Sequence, residues 1–289
     1  NSNMTKLNST NPKDFLPVNQ QEMLDKGWQE CDFVFISGDG YVDHPSFAAA
    51  LLGRLLESYG YKVGIIPQPD VSSVESFKVL GKPRLAFLIS SGAMDSMVSN
   101  YTANNKPRSS DSYAHGGESG HRPDRALITY TTLARQAYKG VPVIIGGIEA
   151  SLRRMAHYDY WSNKVRRSIL LDSKADLLIY GMGENPIIEI ANALNTDESK
   201  TNFAKSFVLQ EENTDSINAF TLIEQSESRF VVQNSPAAPL ETSEFDKIME
   251  LPFTRTWHPM YNKPAANGKT GIPALQEVLF SLTSVRGCF

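Results

Sequence analysis

Cysteine is scarce in this sequence, since only Cys31 and Cys288 occur among 289 residues. Two cysteines cannot build a disulfide framework, and such scarcity is typical of a reducing compartment, so we expect a cytoplasmic protein. Cys31 comes just before an apolar run, and its expected role is that of a small buried thiol.

Long apolar runs are also absent. None approaches the roughly 18 residues that a membrane-crossing helix needs. Residues 1–13 are polar and lack the apolar core of a signal peptide. The sequence therefore predicts no membrane partner, and it predicts a solvated, disordered tail over residues 1–14.

Positive charge is not in excess, because the formal net charge is −4. Binding to a nucleic-acid backbone depends on a surplus of Lys and Arg, so this balance argues against nucleic acid as a partner. Hydrophobic residues at 41% and charged residues at 21% are typical of a globular protein that buries a core.

Five short apolar runs end in turns that carry glycine or proline. They are rich in Val, Ile, Leu and Phe with little alternation, which is the pattern of strands covered on both faces of a parallel sheet. They lie at 32–37, 61–66, 84–89, 141–145 and 176–180.

Helical patterns lie between these runs, at 45–59, 123–138 and 185–194. Gly60 follows the first of them as a C-terminal cap would. Alternation of strands and helices predicts a doubly wound α/β domain with a mostly parallel sheet. The connection over 90–122 is long and polar, which in a compact domain indicates a functional or mobile loop.

The character of the chain changes after residue 195. Residues 196–273 are polar and then proline-rich, with a helical pattern only near 243–250, so they are predicted to form an extended connector. A last apolar run at 277–282 is predicted to be a strand. It leads directly into the sequence RGCF at 286–289.

Several sequence blocks together resemble YgiQ-type radical SAM (S-adenosylmethionine) iron–sulfur proteins. The resemblance runs from about Phe15 to the end of the sequence and is weakest between 195 and 226, where this chain is shorter than the family. The blocks are GDGYVDHPSF at 38–47, SGAMDSM at 91–97, KPRS at 106–109, RPDR at 122–125, GGIEASLRR at 146–154, YDYW at 158–161 and VVQN at 231–234.

The resemblance implies an iron–sulfur cofactor. In the family, Arg-Gly-Cys-Phe opens a C-x3-C-x2-C loop whose three thiolates hold a [4Fe–4S] cluster, and Cys288 matches the first of them. S-adenosylmethionine binds the fourth iron and is cleaved reductively, with an electron donor such as flavodoxin or ferredoxin. Because the sequence stops at Phe289, this chain alone is not expected to hold the cluster. Taken alone, Cys288 would be an ordinary terminal cysteine.

The resemblance also implies a domain arrangement. Residues 15–195 would form a Rossmann-like domain similar to the cobalamin-binding domains that precede some radical SAM cores, and residues 274–289 would start the radical SAM barrel. The Asp-x-His-x-x-Gly motif of cobalamin proteins is absent, which argues against cobalamin. No G-x-G-x-x-G follows the first strand and no P-loop occurs, so nucleotide sites of those kinds are not expected.

Ligands of open parallel sheets bind beyond the carboxyl ends of the strands, where glycines allow close approach to the backbone. The residues predicted to contact a cofactor there are Asp39, Gly40, Gly92, Gly146, Gly147, Glu149 and Arg153. No catalytic residue can be assigned.

Structural alternatives stand beside these assignments. Arg153 and Arg154 are suited to grip a carboxylate or phosphate, or to pair with Glu149 and Asp159 and hold a loop. Asp43 and His44 are candidates for ligand contact, or for a helix cap and its packing neighbour.

Three further groups have predominantly structural interpretations. His115, His121 and Glu118 are metal-ligand types, but their loop favours surface polar roles. The aromatic residues around Tyr158 and Trp161 favour packing over ligand stacking. Lys164, Arg166 and Arg167 are predicted to form a solvated helix face.

Three functions remain open at this stage. The full protein is a radical enzyme, or the α/β domain is a binding module that takes a small molecule and gates the barrel. The third reading is architectural, with the crevice of the sheet filled by residues 90–122.

Overall fold

The computed structural model describes residues 11–196, 222–226, 229–279 and 281. Five strands form one parallel sheet in the order β2-β1-β3-β4-β7, which confirms the predicted Rossmann-like α/β fold. Two hairpins, β5–β6 and β8–β9, lie apart from that sheet. The strands are β1 (Phe33–Ser37), β2 (Val63–Pro67), β3 (Ala86–Ser90), β4 (Val143–Gly146), β5 (His157–Asp159), β6 (Lys164–Arg166), β7 (Leu177–Leu178), β8 (Leu222–Ser226) and β9 (Arg229–Gln233).

The helices alternate with the sheet strands as the sequence pattern predicts. They are α1 (Gln20–Asp25), α2 (Ala48–Ser58), α3 (Ser96–Asn100), α4 (Ala126–Ala137), α5 (Gly147–Leu152), α6 (Ile169–Ser173), α7 (Glu184–Asn195), α8 (Thr242–Met249) and α9 (Leu275–Val278). Single 3-10 turns lie at Pro12–Asp14, Val74–Phe77, His115–Gly117 and Pro259–Asn262. Residues 1–10 of the predicted tail lie outside the described residues.

The sheet separates two hydrophobic cores. Successive strand residues point to opposite faces, so Phe33 and Phe35 contact one core and Val34 and Ile36 the other. Helices α2 and α7 cover the first face, and α4 and α6 cover the second. This double cover explains why the strands read as continuous apolar runs.

The register brings the carboxyl ends of three neighbouring strands to one edge. Ser37 of β1 is opposite Ser90 of β3, which is opposite Gly146 of β4. The strand order reverses between β1 and β3, and such a switch point is where sheets of this type form their crevice. The loops that follow these three strands therefore meet above the crevice.

The connector wraps around the carboxyl end of β1 instead of leaving the domain. Val42 bridges Trp257, and the Asp43 backbone N–H donates to the Thr256 carbonyl at 2.9 Å. Farther along, the Gly116 N–H donates to the Gly271 carbonyl at 2.8 Å. The connector is thus attached to both the sheet and the loop above the crevice.

Both outer strands of the sheet have short free edges. At β2, the Ile65 N–H donates to the Pro17 carbonyl at 2.9 Å, and the strand ends at Pro67. At the opposite edge, β7 has two residues, Leu177 and Leu178.

Two predictions about elements are wrong. The strand predicted at 277–282 is helical where it begins, because α9 spans Leu275–Val278 and Leu275 packs into the first core; residues 280 and 282 lie outside the described residues. The helix face predicted at Lys164, Arg166 and Arg167 is also wrong, since Lys164–Arg166 is a strand paired with His157–Asp159.

Candidate functional site

The crevice between β1 and β3 is filled by a buried arginine. Arg122 comes from the end of the long loop after β3, and its side chain is 0% exposed. Its Nη2 donates to Asp39 Oδ1 at 2.8 Å and to Asp111 Oδ2 at 3.2 Å, and its Nη1 donates to the Ser91 carbonyl. We call these three charged residues, Arg122, Asp39 and Asp111, the crevice triad.

Asp39 holds the loop to the sheet. Besides Arg122, it accepts a hydrogen bond from the Ala93 backbone N–H at 2.7 Å. Burial raises the pKa of its carboxyl to about 6, although the guanidinium of Arg122 acts in the opposite direction. Asp39 therefore faces the chain's own loop at the point where a ligand-contacting residue was predicted.

Glycines allow this close packing. A Cβ at Gly38 would lie 2.0 Å from the Ser91 carbonyl oxygen, and a Cβ at Gly92 would lie 2.1 Å from Asp39 Oδ1. At Gly40 it would lie 2.5 Å from Ile272 Cδ1, a connector atom. Gly40 and Gly92 thus give room to the protein's own loop and connector in this structure.

Glu149 and Arg153 hold the start of α3. Glu149 is 0% exposed and accepts from the Ser96 N–H at 2.9 Å and the Leu127 N–H at 3.3 Å. Burial, reinforced by the negative charge of Asp95, raises the pKa of Glu149. Arg153 donates to Asp95 Oδ2 through Nε at 2.9 Å and Nη2 at 2.6 Å.

A cavity of about 100 Å³ lies at the carboxyl ends of β3, β4 and β7, between α2 and α7. We call it the α2–α7 cavity. Most of its wall is aliphatic, and Gly146, Gly147, Gly181 and Ser90 lie at the strand ends beside it. Gly146 and Gly147, both predicted to contact a cofactor, therefore line this cavity, although a Cβ at Gly147 would lie 2.6 Å from Ser90 Oγ. The aliphatic residues are Leu51, Leu52, Leu88, Ile144, Ile179 and Ile187, among others.

Asp43 and His44 are buried beside the connector. Asp43 accepts from Arg54 Nη2 at 2.7 Å and from the Thr254 N–H at 2.9 Å. The N-cap of α2 is Phe47, so Asp43 is not the cap of that helix. His44 Nδ1 accepts from the Ser46 N–H at 3.1 Å, and burial lowers the pKa of its imidazole.

The histidines of the long loop make contacts within the protein. His115 Nε2 lies 2.8 Å from the Lys263 carbonyl, and its ring contacts Tyr261 edge-on at 5.2 Å. His121 Nε2 lies 3.5 Å from Glu118 Oε2. Across the described residues, no three His, Cys, Asp or Glu side chains come together as metal ligands.

The aromatic sequence after α5 forms the β5–β6 hairpin. Tyr158 and Tyr160 are 60% and 50% exposed, and Tyr160 donates to the Ala103 carbonyl at 3.0 Å. Asp159 between them is buried and accepts from Arg125 at 2.6 Å. The hairpin thus presents aromatic rings outward while a partly buried ion pair holds its base.

Sequence reasoning missed the partners of the predicted residues. Asp111 carried no motif, and Arg122 appeared only as the first letter of the RPDR block. The aliphatic wall of the α2–α7 cavity gave no signal because Leu and Ile at helical spacing read as core. The glycines at 181 and 183, which follow the fifth apolar run, were the available pointer to it.

Comparison with known proteins identifies relatives of this chain. A family model described as Radical SAM N-terminal matches residues 15–202 and 195–281. A UPF0313 protein of Clostridium botulinum strain 657 is 46% identical over 311 aligned residues, which cover 96% of this chain and 48% of that protein. A UPF0313 protein of Clostridium perfringens strain 13 is 45% identical over 310 aligned residues, covering 95% of this chain and 46% of that protein.

The chain spans about half the length of the curated relatives it matches. No solved structure matches it. Within the part that the structure describes, none of the helices is long and apolar enough to span a bilayer.

Proposed function

Since this chain belongs to the radical SAM N-terminal family, we propose that it is the front part of an enzyme that binds a [4Fe–4S] cluster and reductively cleaves S-adenosylmethionine. One observation carries this proposal: the family match extends to residue 281, and the sequence continues five residues later into RGCF at 286–289. Cys288 would be the first cluster ligand. The remaining cluster ligands and the residues that bind the substrate would come from the rest of the full-length protein.

The described residues do not form the cluster site. Cys288 lies outside them, and the described cysteine, Cys31, is buried with its Sγ 3.6 Å from Met23 Sδ. Burial raises the pKa of the Cys31 thiol to about 12, whereas an iron ligand has to be a thiolate. Cys31 is therefore a packing residue, and we derive no chemical step through the cluster from this structure.

A substitution of Cys288 tests the cluster assignment. The full-length protein would be reconstituted with iron and sulfide under anaerobic conditions, as wild type and as Cys288→Ala. We expect the visible cluster absorption and the iron content to fall to background in the variant, because a cluster with one thiolate missing loses its attachment. Cys31→Ala is the matched control and should keep both.

An unchanged spectrum and iron content in Cys288→Ala would refute the assignment of this residue.

The sparse cysteine content fits a reducing cytoplasm, where flavodoxin or ferredoxin would deliver the electron that the reaction needs. We propose that setting together with the enzyme.

A second candidate function is a small-molecule binding module that gates the barrel. It is supported by the α2–α7 cavity, which lies at the carboxyl edge where sheets of this type bind ligands. Gly146 and Gly147 would contact the ligand, with Ser90 beside them. Glu149 already accepts a hydrogen bond from Ser96, and Arg153 already donates to Asp95. These two residues would therefore act on the ligand indirectly, through α3 and α5.

The architectural hypothesis concerns a different part of the same edge, the ends of β1 and β3. The loop over 90–122 packs over the ends of β1 and β3 through the crevice triad. We propose that this part of the domain fixes the connector that leads toward the barrel. Thermal-shift measurements on the chain with S-adenosylmethionine, nucleotides and cobalamins would separate the two roles, since an architectural edge predicts no stabilisation by any of them.

A further inference from the structure

The carboxyl edge of the sheet has one closed half and one open half. At β1 and β3 the crevice triad occupies the space above the strand ends. At β4 and β7 the α2–α7 cavity remains, and its lining there includes the half-buried Gly146 and the exposed Gly181. A ligand of this domain would therefore enter on the β4–β7 side and not at the switch point between β1 and β3.

We infer that the α2–α7 cavity holds a single uncharged apolar group of a small-molecule ligand, the size of one aromatic ring or branched alkyl group. This inference deepens the binding-module proposal and rests on it. The cavity measures about 100 Å³. An apolar cavity of about 150 Å³ in another protein stays dry and binds benzene, so a cavity of about two thirds that volume takes no more than one compact ring.

The wall of the cavity matches an apolar occupant. Leu52 comes from α2 and Ile187 from α7. Leu88 and Ile144 come from strands β3 and β4 of the sheet. Buried aliphatic walls gain contact area from an apolar group and offer a polar group few hydrogen bonds. The lining therefore selects against polar occupants such as a ribose or a phosphate.

The charge of the occupant is also restricted. Among the described residues that line the cavity, Glu184 is the charged one, and it is 1% exposed. Moving an anion from water into such an enclosed, mostly aliphatic site costs far more free energy than moving a neutral group there. The occupant is therefore neutral.

The entrance leaves room for the remainder of the ligand. Gly181 has a φ of +70° and no atom within 4 Å of where its Cβ would lie. Gly183 precedes α7 with an ordinary φ of −92°, and its added Cβ would touch Leu52 at 3.6 Å. The polar portion of the ligand would lie over this glycine edge, outside the cavity.

Simple aromatic probes test the inference on the 289-residue chain. Toluene and benzyl alcohol should raise Tm by about 2–3 °C when each is present at ten times its Kd, whereas benzoate, with the same ring and a negative charge, should bind at least tenfold more weakly. The Ile187 methyl signals in a ¹³C-labelled sample should shift with toluene concentration and report the location directly.

Two variants fill the cavity from opposite sides. Ala48→Leu acts at an exposed first residue of α2 that lines the cavity, and Gly183→Leu acts at the start of α7. Both should weaken toluene binding at least tenfold. Gln136→Leu adds the same side chain at an exposed site of α4, on the other face of the sheet, and should leave binding unchanged.

Two results would overturn the inference that the cavity holds an apolar group. No Tm rise and no Ile187 shift with either neutral probe overturns the inference, as does binding that survives both filling variants. If S-adenosylmethionine or a nucleotide stabilises the chain while toluene does not, the binding module stands and the apolar occupant falls. None of these measurements involves iron, so they leave the Cys288 assignment untouched.

Discussion

Arg122 shows how a single side chain determines what an edge of the sheet can do. Its guanidinium lies between two carboxylates, Asp39 and Asp111, and all three side chains are almost completely buried. A buried charge whose partner is removed costs about 3–5 kcal/mol, so each member of the crevice triad holds the other two in place. The triad is therefore a fixed part of the fold and fills most of the space between β1 and β3, where a cavity of about 10 Å³ remains.

The raised pKa of Asp39 predicts a pH dependence of stability. Its carboxyl has a pKa of about 6 in the folded protein and an ordinary value near 3.8 when unfolded. Between these values the folded state binds more protons, so the stabilisation is complete below about pH 4 and is lost as pH rises through about 6. The loss amounts to about 3 kcal/mol.

Urea unfolding at a series of pH values from 4 to 7 measures this effect. Asp39→Asn should remove that part of the slope, and the difference between wild type and variant is what matters, because other groups also titrate. Asp246→Asn, at an exposed site on α8, is the control and should follow the wild-type slope. Identical slopes for wild type and Asp39→Asn would contradict the prediction.

The position of Asp39 could be predicted from sequence, but its partner could not. An aspartate directly after a buried strand has to lie at the carboxyl edge, and that inference needs only local pattern. Arg122 lies 83 positions away along the chain, and nothing local to it indicates which carboxylate it meets. The choice between ligand contact and internal pairing therefore depended on how the loop folds back.

At the scale of elements, the turn after β3 depends on Gly92. Its φ of +101° disfavours any side chain, and a Cβ there would collide with Asp39 at 2.1 Å. Gly92→Ala should cost about 3–5 kcal/mol, because relief of the collision displaces a buried carboxylate from its partners. Gly60→Ala is the matched control, with a φ of +87° and open space around its Cβ position.

The two glycines separate backbone strain from crowding. Gly60→Ala should cost about 1–2 kcal/mol, the cost of placing a side chain in left-handed backbone. Both values can be read from chemical denaturation midpoints at constant m. Equal costs for the two variants would mean that Asp39 relaxes easily and that the turn is not held by the crevice triad.

Long apolar elements were predicted well because double burial leaves a strong local pattern. All five sheet strands and helices α2, α4 and α7 lie within a few residues of their predicted positions. The β5–β6 hairpin was missed because its rings point outward and its base is held by a partly buried ion pair between Asp159 and the distant Arg125. Helix α9 was predicted as a strand since four residues are too few to show a helical period.

At the scale of the whole molecule, the connector belongs to the core of the α/β domain. Ile272 is 0% exposed and packs beside Gly40, and the Tyr261 hydroxyl accepts from the Tyr41 N–H at 3.1 Å. We predict that the connector unfolds together with the sheet. Ile272→Ala should cost about 2–5 kcal/mol, the range for a core isoleucine.

Tryptophan fluorescence tests this prediction. In a background of Trp28→Phe and Trp161→Phe, the remaining Trp257 reports on the connector, while far-ultraviolet circular dichroism reports on the whole fold. The two unfolding curves should coincide, and Ile272→Ala should shift both to lower urea. A separate early transition of Trp257 would show that the connector detaches by itself.

The two outer strands of the sheet, β2 and β7, affect how readily the protein self-associates. Unpaired strand edges recruit strands of other molecules, and proteins limit this by keeping edges short or covered. Here Pro17 already takes one backbone bond of β2, which ends at Pro67, and β7 offers two residues. The outer strands of this sheet therefore offer few unpaired backbone groups to a strand of another molecule. Concentrated solutions of the chain should resist fibril growth.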